Sequence, residues 1–402
     1  PTLMAVLPVE FFDNKSYHSC GYAFEFSYSQ DVNNDTIAFT TPGCKTIQMW
    51  VTDQNGNTSY CETFVDIQLN GQSNNCDNTT GNTLVSTISG KTIKENEEAI
   101  EDVFVKMEGT EADPVSTNED GKFVFEPMSN GGNYNVVPTK DGDDLNGVST
   151  LDLVIIQRHI LGLEKLSTPY KMIAADVNNS GNITASDLTE LRKLILGLTP
   201  EFANNSSWRF FDAANKFVDP FDPWRGALSE TFAIENLNTN MDLSFIGVKV
   251  GDVNDNAKGA KSNQVNTGLR SALKLCVDER KVYKGEIIDV PLVLQNTSDL
   301  YGIQAQFKAN GLIIRDLKDG MVKVSPSDFI LSSADQIFIA LANGSGQRVP
   351  SGRTVCTLEV EVLRNGNLSE MLTIGSDLNP EAYTEAMDVK SLSLNWRSGN
   401  LG

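Results

Sequence analysis

Residues 152–163, DLVIIQRHILGL, and residues 187–198, DLTELRKLILGL, repeat one pattern at an offset of 35 residues. In each copy apolar residues recur at i, i+3, i+7 and i+10, which is the spacing of one apolar helix face. Gly162 and Gly197 follow where such helices would end. We expect two short helices that pack on each other, because neither could bury its apolar face alone. The matched apolar positions are Leu153, Ile156, Ile160 and Leu163 in the first copy and Leu188, Leu191, Ile195 and Leu198 in the second.

An oxygen-rich loop, residues 176–187 (DVNNSGNITASD), precedes the second helix. Side chains with oxygen atoms occupy positions 1, 3, 5, 9 and 12 and glycine occupies position 6, which is the pattern of a calcium loop with Asp at position 12. The alternative is an Asx-rich turn in which Asp187 only caps the helix. The predicted ligands are Asp176, Asn178, Ser180, the carbonyl of Asn182, a bidentate Asp187 and, through water, Thr184.

The loop before the first helix, residues 141–152 (DGDDLNGVSTLD), matches this pattern less completely. Asp141, Asp143 and Asp152 hold positions 1, 3 and 12, and Gly147 would offer its carbonyl at position 7. Position 5 is Leu145, which has no side-chain oxygen. The sequence therefore predicts one Ca²⁺ in the second loop and leaves a second Ca²⁺, in this first loop, as an open alternative.

The paired units of loop and helix, with Asp at position 12, resemble dockerin domains. That resemblance implies a calcium-dependent module that binds cohesin domains, and it places the partner-facing residues at two positions in each loop and two in each helix. An ordinary solvated helix face is the alternative for the three basic residues, and His159 is interpreted as a packing or surface residue. The implied partner-binding residues are Thr150, Leu151, Gln157 and Arg158 in the first copy and Ala185, Ser186, Arg192 and Lys193 in the second.

Residues 1–76 contain short segments with the period of two that is typical of half-buried strands, as in residues 22–26 and 46–51. The stretch 49–61, MWVTDQNGNTSYC, resembles HYR/PKD-like immunoglobulin modules of bacterial surface proteins. The resemblance and the local spacing pair Cys20 with Cys44 and Cys61 with Cys76. Free buried thiols are the alternative to these disulfides, which would imply an oxidising compartment outside the cytoplasm.

Residues 77–138 begin with a polar linker and continue as a second β module. Residues 103–107 alternate as a strand, and 117–125 (TNEDGKFVF) form a turn that leads into another. Their order resembles the CNA-B/SdrD-like spacers of surface adhesins, which implies a stalk module without catalysis.

Residues 139–256 are assigned to the helical calcium-binding unit together with an extension rich in aromatic residues and proline, residues 199–256. The extension is interpreted as a cover for a hydrophobic surface rather than as a platform for sugars. A strand at 246–250 leads into Asp252 and Asn254, which could reach a metal, although a turn is the favoured interpretation.

Residues 271–402 return to strand alternation and predict a third β-sandwich. Segments such as 284–286, 290–292 and 300–304 resemble cohesin-like modules, and 376–383 resembles secreted Bacteroidota surface proteins. Cys276 and Cys356 both fall on predicted strands, and we expect a disulfide between them. The predicted fold class is mostly β, with tandem immunoglobulin-like β-sandwiches and one small all-α calcium-binding dockerin-like unit.

The charge balance excludes some classes of function. With 32 Lys and Arg against 53 Asp and Glu, the net charge is −21, which disfavours nucleic-acid binding. No apolar run approaches the ~20 residues of a membrane span. With only two His and no HExxH, GxSxG or phosphate-loop motif, we expect no enzyme.

The sequence predicts a structural or adhesive extracellular protein, either on the cell surface or secreted. Its implied partner is a cohesin-like module, in the same chain or in another copy, and the latter would give a homopolymer in the form of a head-to-tail fibre. The alternative is an accessory region of a secreted carbohydrate-active enzyme or a carbohydrate-binding protein. Two carboxylates in one cleft, or an exposed aromatic row, would favour that alternative.

Overall fold

The computed structural model describes residues 5–12, 23–41, 43–67, 85–226, 228–260 and 271–398. The chain divides into two units, Pro1–Val85 and Ser86–Gly402, and each is described by itself. Strands dominate both units and three helices interrupt the described part of the second. The predicted class, mostly β with sandwich-like sheets and a small helical region, is confirmed.

The first unit pairs its strands in two small antiparallel sheets, β2-β4-β5 and β1-β3. The turn between β4 and β5 is fixed by Asp53, whose Oδ1 accepts hydrogen bonds from the backbone N–H groups of Asn55 and Asn57. Gly56 takes the positive φ that this turn requires. The strands are β1 Ala5–Pro8, β2 Phe24–Ser27, β3 Thr36–Phe39, β4 Gly43–Asp53 and β5 Thr58–Ile67.

The second unit begins with a sandwich of two four-stranded sheets, β10-β7-β15-β13 and β14-β12-β8-β9. The long strand β15 pairs in parallel with β7, with Phe245 beside Thr92, although the two are far apart in the chain. The strands are β6 Val85–Ser86, β7 Ile88–Ile93, β8 Phe104–Glu108, β9 Val115–Ser116, β10 Lys122–Val124, β11 Met128–Ser129, β12 Tyr134–Thr139, β13 Trp208–Asp212, β14 Phe232–Ile234 and β15 Met241–Lys249.

The residues that form this sandwich cross the predicted domain boundary at 138. The predicted unit 139–256 is therefore not a separate domain. Residues 77–138 do not close a module, because β13, β14 and β15 come from the segment that was interpreted as an extension of the helical unit. The aromatic run in β13 is buried on both faces, with Trp208 and Phe210 in the sandwich core and Phe211 in the helical core. Burial on two sides explains why the run lacks strand alternation. For β13 it agrees with a covering role, whereas Phe221 of the same extension is exposed.

Three helices are inserted between the strands of this sandwich: α1 Thr150–Ile160, α2 Pro169–Ala175 and α3 Ala185–Ile195. Leu153, Ile156, Leu191 and Ile195 are buried together, so the predicted packing of α1 and α3 is confirmed for the inner part of the apolar face. The outer positions of that face, Ile160, Leu163 and Leu198, are exposed. Helix α2 was not predicted. None of the helices in the described ranges has the length and apolar character of a membrane span.

Both repeated helices end as predicted. Gly162 and Gly197 have φ values of 70° and 71°, the left-handed conformation of a glycine that closes a helix. In the first copy the N–H of Leu163 donates to the carbonyl of Arg158 at 2.9 Å, and in the second that of Leu198 donates to Lys193 at 2.8 Å.

The C-terminal part of the second unit is a sandwich formed by one sheet that folds over a single core. The sheet order is β20-β23-β18-β16-β27-β26-β19-β22-β21, and β25 also pairs with β19. The strands are β16 Ala272–Asp278, β17 Lys281–Val282, β18 Ile287–Leu294, β19 Ser298–Ala309, β20 Leu312–Asp319, β21 Phe329–Ser333, β22 Gln336–Val349, β23 Thr354–Val362, β24 Gly366–Asn367, β25 Leu372–Ile374, β26 Glu381–Thr384 and β27 Val389–Arg397.

The predicted disulfide between Cys276 and Cys356 is wrong, because both are free buried thiols. Cys356 lies opposite Leu292 in the sandwich core, whereas Cys276 lies between the core residues Leu275 and Val277 and therefore faces away from it. The two also stand on strands separated by β18, about 10 Å apart, which is too far for a disulfide.

The two predicted disulfides of the first unit have different outcomes. Cys61 is free and exposed in the middle of β5, so its pairing with Cys76 is wrong. A residue in mid-strand is held there by the pairing of its strand, in which Cys61 lies opposite Met49. Cys44 is disulfide-bonded. Cys20 and Cys76 lie outside the described residues, so the pairing of Cys20 with Cys44 stays a prediction.

Candidate functional site

The second oxygen-rich loop connects the end of α2 to the start of α3. Asp176 follows α2 directly and Asp187 lies in the first turn of α3, and both side chains are fully buried. Asp176 Oδ1 accepts from the N–H of Ser180 at 2.8 Å, and its Oδ2 accepts from the N–H of Gly181 at 2.8 Å. These bonds bend the loop back over the Asp176 carboxylate.

Asp187 closes the loop from the other side. Its Oδ2 accepts from the N–H of Thr184 at 2.8 Å, as part of a capping box, and its Oδ1 accepts from the N–H of Asn178 at 3.1 Å. The carboxylates of positions 1 and 12 are thereby fixed on the two sides of one loop.

The loop fits a hard cation by the chemistry of its donors. Asn178 Oδ1 is buried and has no hydrogen-bond partner, which costs free energy unless a ligand such as a cation contacts it. The loop also offers the side chain of Ser180 and the carbonyl of Asn182, whose oxygens are 3.2 Å apart. Carboxylate, amide, hydroxyl and carbonyl oxygens are the ligands that Ca²⁺ takes.

The predicted ligands of this loop include only two carboxylates, those of Asp176 and Asp187. This agrees with the finding that, within the described ranges, no group of three or more His, Cys, Asp or Glu side chains could hold a metal ion. The structure thus brings together Asp176, Asn178, Ser180, Asn182, Thr184 and Asp187, and calcium binding by them stays a prediction.

The first loop is not built in the same way. Asp141 Oδ1 accepts from the N–H groups of Ser207 and Gly142, and Asp143 is exposed with φ of 56°. The bond from Ser207 is the main reason that the pKa of Asp141 is lowered. In a continuous calcium loop the side chains at positions 1 and 3 both point to the ion. Asp141 instead binds Ser207 and Asp143 is exposed, so the structure does not support these two residues as ligands.

Asp152, at the predicted position 12, is fully buried. Its Oδ2 accepts from the N–H of Ser149 at 2.9 Å in a capping box, and its Oδ1 accepts from the N–H of Val253 at 3.0 Å. Burial, and then the charge of Asp252, raise the pKa of Asp152 well above its usual value. Asp252, which the sequence analysis interpreted as a turn residue, is therefore the carboxylate that stands near Asp152.

The partner-facing side of α1 lies on the chain's own C-terminal sandwich. Gly344 in β22 forms two hydrogen bonds with adjacent residues of the helix: its N–H donates to Gln157 Oε1 at 2.8 Å, and its carbonyl accepts from Arg158 Nη1 at 2.8 Å. At the start of the helix, the N–H of Thr150 donates to Oε1 of the buried Gln304 at 2.9 Å. The two ends of one helix face are thereby attached to β22 and β19.

The absence of side chains at two glycines lets the helix approach the sheet. A Cβ on Gly302 would lie 3.2 Å from Val154 Cγ2, and one on Gly344 would lie 3.2 Å from the backbone nitrogen of Arg158. The Arg158 guanidinium also stands over the ring of Tyr301, 5.5 Å from its centroid.

Apolar packing continues across this contact. Ala340 and Leu378 of the sandwich belong to the core cluster that is formed mainly by the three helices. Val154 and Leu151 are buried as well, with exposed fractions of 0% and 6%. The interface therefore combines buried apolar side chains with hydrogen bonds at its edges, as stable protein interfaces do.

The second copy presents the equivalent positions differently. Ala185, Ser186 and Lys193 are exposed, and only Arg192 reaches the sandwich, with Nη2 at 3.4 Å from Asp328 Oδ1. Burial raises the pKa of Asp328 although the charge of Arg192 opposes that shift. Of the eight predicted partner-facing residues, the structure brings together Thr150, Leu151, Gln157, Arg158 and Arg192.

His159 has the packing role that was expected of it, since its Nδ1 accepts from the N–H of Leu166 at 3.1 Å. Gln304, Asp328 and Gly344 were missed by the sequence analysis. A run of small residues in β22 could have indicated that this face of the sandwich is a docking surface. Along β22 the small residues Ala340, Ala342 and Gly344 share one face, while Ile339 and Leu341 face the sandwich core.

Comparison with known proteins found similar solved structures and one family model that matches part of the chain. No curated protein matches the chain. Among solved structures, a chain of the type I cohesin–dockerin complex Coh-OlpA–Doc918 from Clostridium thermocellum is similar at 14% identity, over 31% of this chain and 95% of that chain, with a TM-score of 0.26. A non-cellulosomal cohesin from the archaeon Archaeoglobus fulgidus is similar at 18% identity, over 32% of this chain and 89% of that chain, with a TM-score of 0.23. Residues 141–196 match the Dockerin type I domain, so the predicted dockerin-like unit and its role in protein–protein assembly are confirmed for this part of the chain.

Proposed function

We propose that this chain is a non-catalytic extracellular structural protein whose calcium-stabilised dockerin-like unit docks in cis on its own C-terminal sandwich. The observation that carries the proposal is the pair of hydrogen bonds between α1 and Gly344, at the edge of a contact with buried apolar side chains. Docking in cis joins the helical unit to the sandwich across residues 261–270, which lie outside the described ranges.

Calcium has a structural role in this proposal. The ion supplies charge neutralisation between Asp176 and Asp187, and the loop holds the start of α3. Arg192 on α3 reaches Asp328, and Leu191 and Ile195 share the core with α1. The calcium loop therefore supports the docked arrangement without lying in the interface.

A head-to-tail fibre through the α1 face would require this internal contact to open first. Because this side of α1 is buried against the chain's own sandwich, we expect that it is not available to bind another copy. Export from the cytoplasm is part of the proposal, and it is supported by the match to the Dockerin type I domain and by the Cys44 disulfide.

The test is a cross-link between the two sides of the contact. Cysteines replace the exposed Leu161, one turn beyond Gln157, and the exposed Ser345, so that both hydrogen bonds to Gly344 are kept. In the background Cys61 and Cys76 are Ser, which keeps the predicted pair of Cys20 and Cys44, and a short bismaleimide is added at several protein concentrations. A modified monomer, with a yield that does not depend on concentration, is the expected result. Dimers and a ladder whose yield rises with concentration would show docking in trans and reject the proposal. Light scattering with calcium present gives the same distinction without a cross-link.

A further inference from the structure

The segment after β15 repeats the first half of the calcium loop. Residues 252–257 read DVNDNA, and residues 176–181 read DVNNSG. Asp252 Oδ1 accepts from the N–H of Asn256 at 3.3 Å, and its Oδ2 accepts from the N–H of Ala257 at 2.7 Å. Asp176 makes the same two bonds, four and five residues onward, to Ser180 and Gly181.

The backbone repeats as well as the hydrogen bonds. The fourth residue of each segment is left-handed, with φ of 61° at Asp255 and 55° at Asn179. This conformation is costly for a residue other than glycine and is adopted where the surrounding structure requires it. Both segments therefore form one loop geometry rather than two unrelated turns.

The third residue of the segment carries the strongest sign of a ligand. Asn254 Oδ1 and Nδ2 are both buried and neither has a hydrogen-bond partner. Its counterpart Asn178 likewise has a buried Oδ1 without a partner. An unpaired buried amide costs free energy, so an absent ligand at this position is a better explanation than a bare turn.

The second half of the loop comes from residues 147–152, GVSTLD, which correspond to 182–187, NITASD. Asp152 Oδ2 accepts from the N–H of Ser149 at 2.9 Å, as Asp187 does from Thr184 at 2.8 Å. Each aspartate also reaches across to its own first half. The N–H of Val253 donates to Asp152 Oδ1 at 3.0 Å, over a separation of 101 residues in the chain.

The two halves meet at Ala257 and Gly147, which correspond to positions 6 and 7 of a continuous loop. A Cβ on Gly147 would lie 2.6 Å from the backbone nitrogen of Ala257, so the two backbones touch. Just beyond the junction, Asn146 Nδ2 donates to the carbonyl of Lys258 at 2.8 Å, and the N–H of Lys258 donates to Asn146 Oδ1 at 2.9 Å. This reciprocal pair holds the halves in register.

We propose that residues 252–257 and 147–152 together form a split calcium site, with Asp252, Asn254 and Asn256 at positions 1, 3 and 5, the Gly147 carbonyl at position 7, Ser149 at position 9 and Asp152 at position 12. The first dockerin-like loop is thus completed by a segment that follows β15, and not by Asp141 and Asp143. The site joins the start of α1 to the end of a strand in the second sandwich.

The charges around the site agree with a cation. Asp152 and Asp252 are 0% and 5% exposed, and two buried carboxylates repel each other unless a positive charge lies between them. Two lysines lie near Asp252 and their charges act on it, but among the described contacts neither amine binds the Asp152 or the Asp252 carboxylate. Lys94 Nζ binds Glu98, the Asp255 carboxylate and the carbonyls of Asp255 and Ala257, and Lys249 Nζ binds the Asp144 carbonyl at 2.9 Å.

The test is the number of calcium ions that the full chain binds, measured by titration calorimetry and by equilibrium dialysis against CaCl₂. Two ions are expected for the unaltered chain and for Asp141→Ala with Asp143→Ala. One ion is expected for Asp252→Ala and one for Asp176→Ala. A single ion in the unaltered chain, two ions in Asp252→Ala, or the loss of one ion on removal of Asp141 and Asp143 would each overturn the proposal.

A second variant guards against loss of folding in Asp252→Ala. Asn254→Ala removes a side chain whose terminal atoms form no hydrogen bond, so the metal-free protein should keep its stability. Its affinity for one of the two ions should fall at least about tenfold, because loss of even an outer partner of a metal site costs that much. Unchanged affinity for both ions would reject Asn254 as a ligand and with it the split site.

Discussion

The two dockerin-like copies have nearly the same pattern and very different surroundings. Val154, on α1, is fully buried against Gly302 of the sandwich, whereas the residue 35 positions later, Thr189 on α3, is exposed. The loop before α3 is continuous, and the loop before α1 borrows its first half from beyond β15. A repeat in sequence therefore fixes the helices and their caps, while the neighbouring domains decide which copy is used for docking.

The largest expected effect is at the centre of the docked face. Val154→Arg places an unpaired charge at a fully buried position and should lower the free energy of unfolding of the second unit by at least about 4 kcal/mol. Thr189→Arg, the matched change in the second copy, should stay within about 0.5 kcal/mol. Urea denaturation measures both. Equal losses in the two variants would contradict the assignment of the docking face to α1.

Calcium removal should have the next largest effect. At a free calcium concentration of 100 times Kd, a bound ion stabilises the folded state by about 2.7 kcal/mol, and chelation removes that contribution. Thermal melts with and without chelator should therefore differ. Asp176→Ala should reduce this difference, whereas Asp143→Ala, which changes an exposed residue, should leave it intact. A melting temperature that is unaffected by excess chelator would contradict a structural role for calcium.

The edge of the docked face offers a smaller comparison. Arg158→Ala removes the bond to the Gly344 carbonyl and the contact with Tyr301, and should cost about 2 kcal/mol, since hydrogen bonds to charged groups contribute about 1.5–3 kcal/mol. Lys193→Ala, the matched change in the second copy, removes an exposed side chain and should cost less than about 0.5 kcal/mol. Similar costs for the two would show that α1 has no special edge contact.

The sequence allowed some of this structure to be predicted and not the rest. Loop 176–187 was predictable because its ligands are contiguous, and the helix ends because Gly162 and Gly197 follow from local rules. Asp252 was placed in a turn, since no local rule connects its segment with Asp152, to which the next residue, Val253, bonds across 101 residues. The boundary at 138 was wrong for the same reason, because the parallel pairing of β15 with β7 leaves no signal in either strand alone. Contacts formed by tertiary packing were the ones that sequence patterns did not show.

The smallest expected effect concerns Arg192, the one predicted partner-facing position of the second copy with a described contact to the sandwich, and its partner Asp328. A double-mutant cycle with Arg192→Gln and Asp328→Asn should give a coupling energy of about 1 kcal/mol at pH 7, because both side chains are mostly buried but the distance is long.

Burial raises the pKa of Asp328, so its folded state takes up a proton more readily than its unfolded state. As the pH falls through that pKa, the cost of burying the charge disappears and the coupling with Arg192 disappears with it. The coupling measured at pH 4 should therefore be smaller than at pH 7. A coupling that is zero at both values would show that Arg192 contributes nothing to docking, and among the predicted partner-facing positions the contrast between the copies would then be complete.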